Sequence, residues 1–177
     1  MTLYEFECKY PVVPKSTFVH PQAVIIGSVE LGEGCFIGPG AVIRGDFGRI
    51  VIGNGTNIQD NCIIHADVDT AAIIGDNILI GHGAIVHGPC LIGEYVVIGM
   101  GAIVSSGCEL GHESLLAAGS LLTPRSIVPP RKLAIGKPAA FTKDMSEKMI
   151  TDNKDALQHY QKLSKRYIDG FKVWDSP

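Results

Sequence analysis

Residues 74–128 read IGDNIL IGHGAI VHGPCL IGEYVV IGMGAI VSSGCE LGHESL LAAGSL LTPRSI V. An aliphatic residue opens every group of six: Ile74, Ile80, Val86, Ile92, Ile98, Val104, Leu110, Leu116, Leu122 and Val128. Four residues later stands a mostly small side chain, as at Ala84, Cys90, Ala102, Cys108, Ser114 and Ser120. Six is neither a helical period nor a plain strand alternation, so the stretch is a repeat. It predicts an all-β solenoid, a parallel β-helix in which each unit supplies one short strand and a corner and three units close a triangular coil. The aliphatic residue points inward, the small residue packs beneath it, and glycine allows the tight corner. One unit cannot bury its own apolar face, so stability must come from stacking coils.

The register extends towards the N-terminus through Val13, Val19, Ile25, Leu31, Ile37 and Ile43, and then through Ile52, Ile58 and Ile64. Two steps are longer, nine residues from Ile43 to Ile52 and ten from Ile64 to Ile74. Each is expected to be one unit with a small insertion at a corner. Val19 to Val128 then holds eighteen units, or six coils. At ~4.8 Å per coil the prism is roughly 30 Å long. Residues 1–12 read as an entry strand or cap, and a proline-rich exit follows Thr123. From about Asp144 to Ile168 the pattern turns helical, through Met145, Met149, Ala156, Tyr160, Leu163 and Tyr167, with Asp144 or Ser146 as N-cap. The expected division is a β-helix over 1–140 and a C-terminal helix and tail over 141–177, packed on the prism, with Gly170–Pro177 loose.

A chain of 177 residues has room for one ample core. Its net charge of −3 and pI near 6.0 give no footprint for nucleic acid. The N-terminus lacks the basic and apolar regions of a signal peptide, and no stretch is apolar enough to span a membrane. A cytoplasmic protein is expected. Four of the five cysteines, Cys35, Cys62, Cys90 and Cys108, take the small-residue position of the repeat. They read as buried core thiols without chemistry.

Counting three units per coil stacks Ile43, Ile64 and Val86 in one column, so the residues after them, Arg44, His65 and His87, share an outward column. His65 and His87 then lie ~4.8 Å apart on adjacent coils, close enough to chelate one ion. Ile58 and Ile80 share the preceding face, which puts Asp60 beside His82 and Gln59 beside Gly81. His82 points elsewhere within one protomer. Three prisms around a cyclic axis would bring the face with Arg44, His65 and His87 against a neighbour's Gln59, Asp60 and His82. Three imidazoles with one open position is the arrangement of a catalytic zinc, whereas a structural site is normally closed by four protein ligands. Arg44 and Asp60 would also face each other across that interface. His20, His112 and His159 read as solvated or corner-capping side chains.

At these residues the sequence resembles the γ-class carbonic anhydrases, closest to the branch with the phenylacetate-degradation and carnitine-operon hexapeptide proteins. The resemblance rests on Arg44-Gly45-Asp46-Phe47-Gly48-Arg49-Ile50, Asn57-Ile58-Gln59-Asp60-Asn61-Cys62 and Gly81-His82-Gly83-Ala84-Ile85-Val86-His87-Gly88, and covers about residues 10–140. It implies a left-handed coil and a homotrimer with a metal ion, zinc or alternatively iron(II) or cobalt, at each interface. It implies His65, His82 and His87 as ligands, Arg44, Asp46 and Asp60 in interface ion pairs, and Asn57 and Gln59 lining the site. The implied activity is hydration of carbon dioxide to bicarbonate by a metal-activated water, oriented by Gln59. The best-known active members carry a glutamate after Arg-Gly-Asp, where this chain has Phe47. They also carry a longer acidic loop where it has only Ala66-Asp67-Val68-Asp69-Thr70. Competing expectations are a hexapeptide acyltransferase or thioesterase acting on a CoA thioester, and an assembly protein with weak catalysis.

Overall fold

The computed structural model describes residues 2–174. Its short strands stack in parallel into three faces. The first carries Ile25, Ile43, Ile64, Val86, Val104 and Leu122 inward, each the direct partner of the next. The second carries Leu31, Ile52, Ile74, Ile92, Leu110 and Val128 in the same way. The third runs from Val19 through Ile37, Ile58, Ile80, Ile98 and Leu116 to Ala134. From Val19 to Val128 every inward residue predicted from the period of six is therefore in its predicted column. The result is a left-handed parallel β-helix of about seven turns, with Val12 bridging Glu30 before the first full coil and Ala134 beginning one more. The core is a continuous aliphatic rod, its isoleucines almost all fully buried. Burying each such side chain is worth about 1.5–3 kcal/mol.

Both insertions fall on the corner between the first and second faces. In the first, strand Val42–Ile52 runs round the corner unbroken beside strand Val24–Leu31, with a register slip between Gly27 and Val29. In the second, Thr70 turns back on Asp67, its N–H donating to the Asp67 carbonyl at 3.2 Å. The insertions stack on each other. A Cβ at Gly48 would lie 2.6 Å from the Asp67 carbonyl oxygen and 2.7 Å from that of Thr70, so only glycine lets them meet.

At the N-terminus the expected entry strand is Thr2–Tyr4, parallel to Val24–Ile26. At the other end Lys132–Gly136 folds back as a hairpin with Ala139–Asp144, so residue 140 lies inside a paired strand. The helix follows over Glu147–Gly170, and Ser146 is its N-cap, accepting from the Met149 N–H. At 1.5 Å per residue a helix of 24 residues is ~36 Å long, enough to run back along the whole prism. It does so on its own chain, from Arg131, which pairs with Glu147, to Phe18 and Phe36, whose rings meet Tyr167 at 5.0 and 5.4 Å.

The buried seam of the helix is Ile150, Leu157 and Ser164, one heptad apart, rather than the expected Met149, Ala156 and Tyr160. A residue every seven positions holds one edge along a straight groove, and Ser164 fits because its hydroxyl donates to the Cys35 carbonyl at 3.0 Å. The tail expected to be loose is anchored at its start, with Phe171 5.8 Å from Phe18 and 5.1 Å from His20. Its last residues lie outside the described ones. Among the described residues no helix is long and apolar enough to cross a membrane.

Candidate metal centre

His65 and His87 are strand partners, and Arg44 is the partner of His65 on the coil before, as the column count requires. The two imidazole rings lie 5.4 Å apart at 68°. The insertion after Arg44 turns Asp46 back over them. Its Oδ1 is 2.8 Å from His65 Nε2 and also accepts the Phe47 backbone N–H at 2.9 Å, while Oδ2 pairs with Arg44. Burial pushes the Asp46 carboxyl up, but bonds from His65, Arg44 and the Phe47 backbone outweigh it and hold it down at about 2. The Phe47 ring is half-exposed and lies 5.6 Å from that of His65. The expected facing of Arg44 and Asp60 involves a second protomer; within its own chain Arg44 pairs with Asp46.

His82 sits on the corner that leads from the third face into the first. Its Nδ1 is 3.1 Å from Asp60 Oδ2, and its backbone N–H donates to Gln59 Oε1 at 3.0 Å. Gln59 and Asp60 are thus beside Gly81 and His82 as expected. His87 Nδ1 lies 3.0 Å from Ser106 Oγ, which bonds Asp67 Oδ2 at 2.7 Å. Asn57 precedes Ile58 in the strand under the helix, and shares no hydrogen bond with the other site residues. It is 1 % exposed, and neither its Oδ1 nor its Nδ2 has a partner among the described residues. Such a buried amide costs roughly 1–3 kcal/mol per unsatisfied group. Column counting missed Ser106, because it places Ser105, not Ser106, above His87.

Within one chain no three His, Cys, Asp or Glu among the described residues are grouped to hold an ion. His65 and His87 stand at one edge of the first face and His82 at the other. The donor set nevertheless fits a metal. Each imidazole has one nitrogen tied to a carboxylate, directly or through a hydroxyl, which leaves the other nitrogen for an ion, the usual arrangement behind metal-binding histidines. The four core cysteines are no part of it, since all are buried and free.

Comparison with known proteins gives the family. The chain is 43% identical to the carnitine operon protein CaiE of Escherichia coli K12 over 92% of its own length and 83% of the relative's. It belongs to the CaiE branch of the γ-carbonic-anhydrase-like hexapeptide-repeat family. Residues 10–45 also match the bacterial transferase hexapeptide family (six repeats). Two solved structures share the full architecture. A hexapeptide transferase family protein from Anaplasma phagocytophilum is 38% identical, with a TM-score of 0.90 over 94% of this chain and 98% of that one. A Bacillus cereus protein described as a candidate acetyltransferase is 32% identical, with a TM-score of 0.93 over 95% and 97%.

Proposed function

We propose that this chain forms a homotrimer that hydrates carbon dioxide to bicarbonate at a metal ion, zinc or alternatively iron(II) or cobalt, held between protomers. The observation that carries the reading is the placement of three carboxylate-anchored histidines on the two edges of one face. The outward side of that face supports it. Val24, Val42, Ile63, Ile85, Ile103 and Leu121 form an unbroken aliphatic stripe there, each directly stacked on the next. Burying such a stripe favours association, and three faces turned to a common axis bring one edge of each against the other edge of its neighbour. His65 and His87 of one protomer then meet the His82 of the next.

A bound ion would supply a water acidic enough to ionise near neutral pH. The chain's own residues do the rest. Asp46 and Asp60 orient His65 and His82. Gln59 is held by its Oε1 on the His82 N–H, so its amide NH2 is the donor left to position a substrate oxygen. The Arg44–Asp46 pair fixes the insertion, and the Phe47 ring shields the His65 side of the site from water. The test is the stopped-flow rate of carbon dioxide hydration by protein loaded with zinc, cobalt or anaerobic iron(II), with His82→Ala as control. A metal-dependent rate lost in the control is expected. Fully loaded protein with no rate above buffer overturns the assignment.

A second reading, transfer or hydrolysis of a CoA-linked acyl group, is favoured by the transferase descriptions of the two solved relatives. Saturable binding of acetyl-CoA, with turnover independent of added metal, would favour it over hydration.

A further inference from the structure

His87 differs from His65 and His82 in reaching its carboxylate through a hydroxyl, by way of Ser106 and Asp67. Ser106 stands two residues after the inward Val104, one coil beyond His87. Asp67 opens the insertion after His65 and is fastened to the next coil by its N–H, which donates to the Gly88 carbonyl at 3.0 Å. Ser106 Oγ lies 2.7 Å from Asp67 Oδ2, 3.0 Å from His87 Nδ1 and 3.3 Å from the Gly88 carbonyl.

A serine hydroxyl has one proton and two lone pairs. The proton belongs in the shortest contact, to a carboxylate, where a charged acceptor makes the bond stronger than one to a carbonyl. Having given its proton to Asp67, Ser106 can only accept from His87. The ring proton of His87 is therefore on Nδ1, and Nε2 keeps its lone pair. The other oxygen of Asp67 is 3.9 Å from Nδ1, too far for a direct bond. Asp67 acts through Ser106.

We propose that Ser106 and Asp67 are positioning residues that lock His87 in its Nδ1–H tautomer, so that Nε2 is the nitrogen offered to the interface ion. The inference rests on the metal-centre reading. It gives the short insertion after His65 a task. The backbone of Asp67 ties the insertion to the coil of His87, and its carboxylate reaches Ser106 one coil further on. A fixed tautomer spares the site the cost of selecting one when the ion binds.

The test combines two readouts on wild type, Ser106→Ala, Asp67→Asn and Ser106→Thr. Long-range proton–nitrogen spectra of the metal-free protein report the His87 tautomer. Competition with a chromophoric chelator reports zinc affinity, with trimer mass and melting temperature measured alongside. Ser106→Ala and Asp67→Asn should release His87 into a mixture of tautomers and weaken zinc by about 10–100-fold, with mass and melting unchanged. Ser106→Thr should keep both properties. Wild-type affinity in both variants, or weakened binding without a change of tautomer, overturns the positioning role and leaves the metal centre standing. A wild type that binds no zinc overturns the metal centre, and this inference with it.

Discussion

His65 and His87 are direct strand partners, yet they present opposite nitrogens to their anchors. Nε2 of His65 faces Asp46 at 2.8 Å, and Nδ1 of His87 faces Ser106 at 3.0 Å. Two equivalent positions in a repeat have been differentiated by what the corners bring over them. The repeat supplies the spacing of the histidines, and the corners supply their partners. A pair of imidazoles is still an incomplete catalytic site, which normally has three protein ligands, and His82 is on the far edge of the face.

That separation predicts complementation between defective chains. His82→Ala and His87→Ala should each abolish zinc binding as homotrimers. Unfolded together in equal amounts and refolded, they should recover about a quarter of the sites, because an interface needs only the intact His87 of one chain and the intact His82 of the next. Zinc stoichiometry of the mixed trimer measures this. Recovery of none would place all three ligands in one chain or dismiss the shared site.

Gly38 links core packing to the same site. A Cβ there would lie 2.6 Å from Asp60 Oδ1, 2.9 Å from the Asp60 nitrogen and 3.0 Å from the Gln59 carbonyl carbon. Gly38→Ala must push aside the corner at Gln59 and Asp60 that orients His82. It should destabilise by ~1–3 kcal/mol, as overpacking does, and weaken zinc binding as well. Gly170→Ala, where a Cβ would meet nothing within 4 Å, is the control, and denaturant melts with chelator competition compare them. Unchanged zinc affinity in Gly38→Ala would separate Asp60 from the centre.

Much of the fold is legible because a period of six fixes each inward residue independently of its neighbours. The count from Val19 to Val128 survives two insertions, since a longer corner leaves the strand register on either side intact. It also gives the column of Arg44, His65 and His87. What the count cannot give is the path of an insertion. That Asp46 returns to His65 depends on a carboxylate two residues beyond Arg44, on the path of the insertion. Ser106 is hidden because it is displaced by one from the column above His87. The helix seam misleads differently. Ser164 is polar by type, and only the Cys35 carbonyl waiting in the groove makes it a buried position.

The core thiols should be inert. Burial pushes Cys35 and Cys62 up to about 11 and Cys90 to about 12, and raises Cys108 as well. Cys35, Cys62 and Cys108 also donate to carbonyls of neighbouring coils at 3.1–3.2 Å. At pH 8 a thiol of pKa 11 is about one-thousandth thiolate. Ellman's reagent should therefore titrate Cys8 alone in the native protein and all five cysteines in guanidinium. Rapid reaction of a second thiol in the native state would mean that the coil opens at one of these positions.

The helix is fastened to the prism through Glu113, and that attachment sets an acid limit. Glu113 bonds Lys154 of the helix, and the Nε of Arg131, which itself holds Glu147, is 3.4 Å away. The bond from Lys154, against a smaller opposing effect of burial, holds the Glu113 carboxyl below its ordinary 4.5, with Arg131 adding to the pull. A carboxylate whose folded pKa is depressed contributes stability that is complete above its unfolded pKa and is lost as pH falls through the folded one. Glu113→Gln should thus lower stability at pH 7 by no more than about 1 kcal/mol, a shift of about 2–4 °C in a chain of this size. The gap between wild type and variant should narrow steadily as the pH is taken below 4.5. Melting curves from pH 7 to pH 3 decide it. A gap that stays constant on acidification would show that the Glu113 carboxylate does not hold the helix.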